Sequence, residues 1–284
     1  MAVGVLPTPR LADVDAVRQL RRRAQLVTEQ KATTFAFACR LLPNDVRDDV
    51  YLLYLVFRAL DDLVDQGASD APERVRAVAR WAEEAAREPT PEVIVLESLA
   101  RRYPLPRQAV GDFCVAMDQD LAGARFATER ELERYCYRVA GTVGIVLASL
   151  LGVRDELEAY PAAGALGMAM QRTNILRDID EDAESGRVYI SDEALARHGG
   201  SLEPGRRGAL VRAQIARADE LYEDGMAGIG LLRRGRGAIT LAATLYREIL
   251  REIERQGYGQ QPGRVVVPNP RKLLTALRAT LLPV

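Results

Sequence analysis

Histidine is all but absent from this chain, and the single imidazole, His198, sits beside Gly199-Gly200, where it reads as a loop residue. That absence excludes a two-histidine zinc site and the Glu-x-x-His pairs of a di-iron bundle. Cysteine is scarce too. Cys39, Cys114 and Cys136 are isolated within apolar segments and read as reduced core thiols of a cytosolic protein. Net charge is missing: 39 Lys and Arg face 40 Asp and Glu, leaving −1 at pH 7, which argues against nucleic acid as the main partner. Residues 1–7 lack a basic start and a long apolar stretch, so no signal peptide is expected. The longest apolar run, 143–153, is too short to span a bilayer. No Gly-x-Gly-x-x-Gly fingerprint occurs, so no bound nicotinamide is expected. Alternating β-type runs are also lacking; Val265-Val266-Val267 is too short to count.

What is there reads almost entirely as helix. Apolar periodicity predicts helices near 10–40, 44–66, 72–87, 91–102, 107–121, 129–151, 155–183, 207–232, 236–257 and 270–281. Breakers separate them, among them Pro43-Asn44, Gly67-Ala68-Ser69, Pro89-Thr90-Pro91 and Gly199-Gly200. With 48% hydrophobic and 28% charged residues and no low-complexity linker, residues 1–284 read as one all-α domain. The stretch Lys272 to Arg278 is amphipathic and reads as a packing helix, with a peripheral membrane contact as the alternative. The resulting expectation is a cytoplasmic protein, membrane-associated in that alternative.

Two acidic clusters break the ordinary rules of helix ends. Asp61-Asp62-Leu63-Val64-Asp65 runs into Gly67, and Asp178-Ile179-Asp180-Glu181-Asp182 runs into Gly186. The C-terminal end of a helix is the negative pole of its dipole and favours Lys or Arg. Carboxylates four residues apart lie about 6 Å apart on one face and repel by about 3 kcal/mol at an effective dielectric near 20. A divalent cation held by oxygen ligands is the simplest offset. At about 100° per residue, Tyr54, Arg58, Asp61 and Asp65 share one narrow arc. Gln171, Asn174, Asp178 and Asp182 share another. Asp180 and Glu181 point elsewhere and read as solvated.

Carboxylate pairs on facing helices suit Mg2+, which takes one or two carboxylates and completes its shell with water and substrate phosphate. A metal cluster at the mouth of an apolar helical cavity suits a long diphosphate ester, with Arg58, Arg177 and Arg187 as candidates to stabilise the leaving diphosphate. Each of these arginines has an alternative as an ion-pair partner of the same acids. An apolar cavity would hold an allylic cation away from water, and an aromatic face such as Tyr135 would stabilise it. Gly141 and Gly144 within one helix read as close helix packing, or as a kink or a wall shaved beside a ligand, at a cost of about 1 kcal/mol each relative to Ala.

Four stretches resemble the squalene/phytoene synthase family: Thr34 to Pro43, Tyr54 to Asp65, Tyr135 to Gly144, and Gln171 to Asp182 running into Gly186-Arg187-Val188-Tyr189. The resemblance implies an isoprenoid synthase fold, a helical bundle around a central cavity. It implies two or three Mg2+ ions (or Mn2+) with the substrate diphosphate at Asp61, Asp65, Asp178 and Asp182, with Asp62 as a further candidate. Gln171 and Asn174 would sit beside the metals, and Arg58, Arg177 and Arg187 would contact diphosphate. Tyr54, Tyr135 and Tyr189 would line the reaction centre. Phe35, Cys39, Val139, Ala140, Val143 and Gly144 would line the prenyl pocket. Tyr246 and Arg264 match a C-terminal pattern.

The activity so implied is 1′-1 condensation of two allylic prenyl diphosphates through a cyclopropyl intermediate. Phe35 and Cys39 are four residues apart on a face that the resemblance places along the prenyl pocket; there the small Cys39 favours a twenty-carbon substrate and phytoene, with a plain core residue as the alternative. Squalene, presqualene diphosphate or dehydrosqualene from farnesyl diphosphate is the alternative, and NADPH enters only for squalene. A terpene cyclase, a chain-elongating prenyltransferase and a silent helical partner are further alternatives. The chain departs from the family at Ala32, Thr33, Ala36 and Arg172, positions expected near the substrate flap.

Overall fold

The structure, a computed structural model, describes residues 14–84 and 88–281. Among the described residues the secondary structure is helical, with one isolated bridge between Val153 and Leu232. The residues before 14 and residues 85–87, where two predicted helices begin or end, lie outside the described residues.

The chain opens with α1 (Val14–Lys31) and α2 (Thr33–Cys39). One helix is predicted over 10–40, and the structure interrupts it at Ala32, whose φ of −129° and ψ of 59° leave the helical region. Next come α3 (Asn44–Asp65), α4 (Ala71–Ala82), α5 (Pro91–Ala100) and α6 (Arg107–Leu121). Pro43 precedes α3, and a Thr90 side chain accepts from Val93 N to start α5. Then α7 (Glu129–Cys136), a π-helical turn at Tyr137–Gly141 and α8 (Thr142–Leu151) divide what reads in sequence as one helix. A Thr128–Glu131 capping box starts α7.

The long α9 (Glu156–Arg177) stops at Asp178, and α10 (Ile179–Glu184) continues in a new direction. The second acidic cluster therefore straddles a break, with Asp178 at φ −103°, ψ 11°. The short α11 (Asp192–Arg197), missed by periodicity because six residues carry too little pattern, is capped by Ser191. The bundle closes with α12 (Gly208–Ala227), a 3-10 turn at Gly228–Leu231, α13 (Arg236–Arg255) and α14 (Asn269–Leu281).

The centre of the bundle is α9, which packs against α8, α12, α13 and the π-helical turn. Its glycines set that closeness. A Cβ on Gly167 would lie 2.2 Å from Ala140 O, and a Cβ on Gly144 2.3 Å from Ala163 O, so backbone meets backbone at this crossing. Cys39, Cys114 and Cys136 are all free and buried. The amphipathic C-terminal stretch is part of α14, which buries Ala276 and Ala279 and leaves Leu273, Leu274 and Leu277 exposed. No helix among the described residues is long and apolar enough to cross a membrane.

Candidate active site

A cavity of about 640 Å3 opens between α3, α8, α9 and α13. Its lining changes from apolar to polar along two helices. On α9 it passes from Ala159, Ala163 and Leu166 to Gln171, Asn174, Arg177 and Asp178. On α3 it passes from Tyr54 and Phe57 to Arg58, Asp61 and Asp65. The polar end is the open one: the side chains of Asp65 and Arg264 are 40% and 45% exposed, whereas Ala159 and Leu166 are buried. Phe35, Val139, Ala140, Val143 and Gly144 line the cavity as expected, and Tyr246 and Arg264 join them. The π-helical turn presents Val139 and Ala140 to it.

Charge is concentrated at the open end. Arg58 Nη1 lies 3.1 Å from Asp61 Oδ2, and its Nη2 pairs with Asp62. Arg177 grips Asp178 with two bonds, Nε to Oδ1 at 2.8 Å and Nη2 to Oδ2 at 2.5 Å. Arg187 Nη1 donates to Asp65 Oδ1 at 2.6 Å. The repulsion anticipated within each cluster is thus offset in this structure by guanidinium groups. It is not fully offset at Asp61. Burial, helped by the neighbouring Asp65, Asp62 and Asp120, pushes its carboxyl up to about 7 against the pull of Arg58. Asp61 keeps 32% of its side-chain surface at the open end of the cavity, where solvent screening weakens this push. Burial and Asp178 likewise push Asp182 up to about 6.

Several sequence-predicted residues are not on the cavity wall. Cys39 is buried in the core, because the cavity reaches only Lys31, Ala32 and Phe35 at this end of the chain and α2 then runs away from it. The chain-length argument from Cys39 therefore falls. Asp62 is buried against Arg58 and does not line the cavity. Asp182, Arg187, Tyr135 and Tyr189 stand beside the open end instead. The rings of Tyr135 and Tyr189 stack at 5.6 Å and 20°, with Phe126 4.9 Å from Tyr135. The Tyr135 hydroxyl contacts both Asp120 oxygens, at 3.1 and 3.0 Å, which turns it from the cavity.

Two other expectations are corrected. Asp180 and Glu181 are paired rather than merely solvated: Asp180 with Arg207, and Glu181 with Arg264. Arg172 lies outside the cavity wall, buried where its guanidinium meets Gln214 at 2.6 Å and Glu129 at 3.2 Å. Its departure from the family pattern does not touch the cavity.

Sequence reasoning missed Asp120 and Lys31. Asp120, pushed up to about 6 chiefly by burial, ends α6 with no basic residue in its last turn, the same anomaly that flags the two clusters. Lys31 lines the cavity one residue before Ala32, where the first helix breaks.

The donor set fits a hard divalent cation. Asp61, Asp65, Asn174 and Asp178 present oxygen atoms to one cavity, and the Asn174 Oδ1 is buried with no hydrogen-bond partner. Among the described residues no three carboxylate, thiol or imidazole side chains converge on one point, so phosphate oxygens would have to complete a metal shell.

Comparison with known proteins is consistent with this geometry. The squalene/phytoene synthase family profile matches residues 28–271. The chain is 35% identical to a 15-cis-phytoene synthase of Synechocystis sp., over 94% of this chain and 86% of that one. It is 39% identical to a phytoene synthase of Thermus thermophilus, over 82% of each. The crystal structure of a dehydrosqualene synthase in complex with ligand superposes with a TM-score of 0.84 at 26% identity, covering 94% of this chain and 97% of that one.

Proposed function

The chain belongs to the squalene/phytoene synthase family, and we propose that it joins two molecules of geranylgeranyl diphosphate 1′-1 to give phytoene in carotenoid biosynthesis. It is a prenyltransferase-type enzyme. The observation that carries the reading is a cavity with an aspartate- and arginine-lined open end and an apolar interior. Each substrate has the same division, a diphosphate head and a long hydrocarbon tail.

Asp61, Asp65, Asp178 and Asp182 would hold Mg2+, with Gln171 and Asn174 beside it; bound there, Mg2+ supplies positive charge to the diphosphate oxygens. Arg58, Arg177 and Arg264 present guanidinium groups to the same end of the cavity and receive the diphosphate. Each is paired with an aspartate or glutamate, so an arriving diphosphate exchanges one anionic partner for another. Arg187, on Asp65, braces the rim. Val139, Val143, Leu147 and Leu166 surround the tails and exclude water from the reacting carbons. Tyr54 lines this wall beside Phe35, at 5.6 Å between ring centroids, and offers an aromatic face to developing positive charge.

Purified enzyme incubated with geranylgeranyl diphosphate and Mg2+, without isopentenyl diphosphate, should yield a forty-carbon hydrocarbon by product mass. Product only from farnesyl diphosphate would shift the reading to the thirty-carbon reactions. Product only with added isopentenyl diphosphate would replace it with chain elongation.

A further inference from the structure

Arg207 is far from an ordinary surface arginine. Its side chain is 2% exposed, and all three guanidinium nitrogens donate. Nη1 and Nη2 grip Asp180 Oδ1 and Oδ2 at 2.6 and 2.7 Å. Nη1 also reaches Leu202 O at 3.0 Å, Nη2 reaches Gln261 O at 3.4 Å, and Nε reaches Gly259 O at 3.3 Å. A planar fork with five N–H donors thereby meets five acceptors, a set that an ammonium group cannot reproduce.

The partners fall on three separate pieces of chain: α10, the turn before α12, and the strap after α13. The strap is shaped for the contact. Gly259 has φ +81°, and a Cβ there would lie 2.5 Å from Arg207 Nε, so both backbone conformation and space call for glycine. Gly263, at φ +97°, donates its N–H to Asp180 Oδ2 at 2.8 Å. One carboxylate thus binds the arginine and the strap together.

Arg264 is the next residue. Its Nη1 donates to Glu181 Oε2 at 2.9 Å, its Nε lies 3.4 Å from Asp178 Oδ1, and it lines the cavity. Val265 N then donates to Arg177 O at 3.3 Å. The strap therefore enters the open end of the site immediately after its anchor point.

We propose that Arg207 and Asp180 form a latch that fixes residues 259–263 against α10 and thereby sets Arg264 at the open end of the cavity, making both of them positioning residues for diphosphate binding. This rests on the reading of that end as the diphosphate site. Asp180 then has a role distinct from Asp178 and Asp182 in the same acidic run: it ties down the strap, and the strap carries a cation to the site.

Inorganic pyrophosphate with Mg2+ is the probe, used as an inhibitor of the full-length enzyme. Arg207→Lys and Asp180→Asn should each weaken its inhibition by about tenfold, as loss of a charge-assisted contact does. Arg264→Ala should do the same, and adding Asp180→Asn to it should weaken inhibition no further, because the latch acts through Arg264. Hydrogen exchange should rise at residues 259–265 in Asp180→Asn while α3 and α9 keep wild-type protection, which separates a released strap from a misfolded chain. Additive losses in the double variant, or wild-type inhibition in Asp180→Asn with its strap exchanging faster, would overturn the latch. Wild-type inhibition in Arg264→Ala would overturn it from the other side, by removing Arg264 from the diphosphate site.

Discussion

Arg187 Nη1 donates to Asp65 Oδ1 at 2.6 Å, and its Nη2 donates to Asp65 O at 3.2 Å. This contact joins residues 122 positions apart and ties the loop after the second acidic cluster to the end of the first. Lys cannot form both bonds from one planar group. Arg187→Lys should therefore lower kcat clearly while leaving the melting temperature almost unchanged, since a half-exposed pair contributes about 0–1 kcal/mol. Steady-state kinetics beside a thermal melt decides it; wild-type kcat would remove Arg187 from the working site.

Asp61 carries the largest share of a pH dependence of the metal-free protein to which Asp120 and Asp182 also contribute. Its carboxyl is pushed from 3.8 up to about 7, chiefly by burial, so the folded state holds a proton that the unfolded state has lost. Stability from this group is present below about 3.8 and is lost as pH rises through about 7. Melting in EDTA should fall across that window, and Asp61→Asn should flatten the fall. The same variant should lose nearly all turnover, because an amide replaces a charged oxygen ligand. A variant with full turnover, or with the wild-type pH slope, contradicts this role.

Gly144 and Gly167 set the crossing between α8 and α9. Adding a methyl group at either position places it within 2.3 Å of a facing backbone oxygen. Gly144→Ala and Gly167→Ala should each destabilise the protein by about 1–3 kcal/mol. Denaturant unfolding at fixed pH would measure it; an unchanged midpoint would show that the crossing relaxes freely.

Cys39 is a core residue and no longer a gauge of chain length. Cys39→Phe should lower stability through overpacking without moving the preference between fifteen- and twenty-carbon diphosphates. Competition between the two substrates tests this. A shift toward the shorter one would restore Cys39 to the pocket.

The helical class, most helix boundaries and the polar arcs on α3 and α9 were legible because periodicity and misplaced carboxylates are local signals. The π-helical turn lies in a stretch whose apolar period continues, and the breaks at Ala32 and Asp178 have no Gly or Pro beside them to mark a stop. Shared helix face placed Cys39 with Phe35, but which part of a face meets a cavity depends on where the helix leaves it. Asp120 and the pairing of Asp180 with Arg207 are long-range contacts, visible only once the elements are packed.

On the proposed function, one cavity holds diphosphate at its acidic end and prenyl chain in its apolar interior. A crystal structure with Mg2+ and the thiodiphosphate analogue of geranylgeranyl diphosphate tests it most directly. Diphosphate density is expected among Asp61, Asp65, Asn174 and Asp178, with the tail running past Val143 toward Leu166. Diphosphate bound away from these aspartates, or a tail lying outside the cavity, would contradict it.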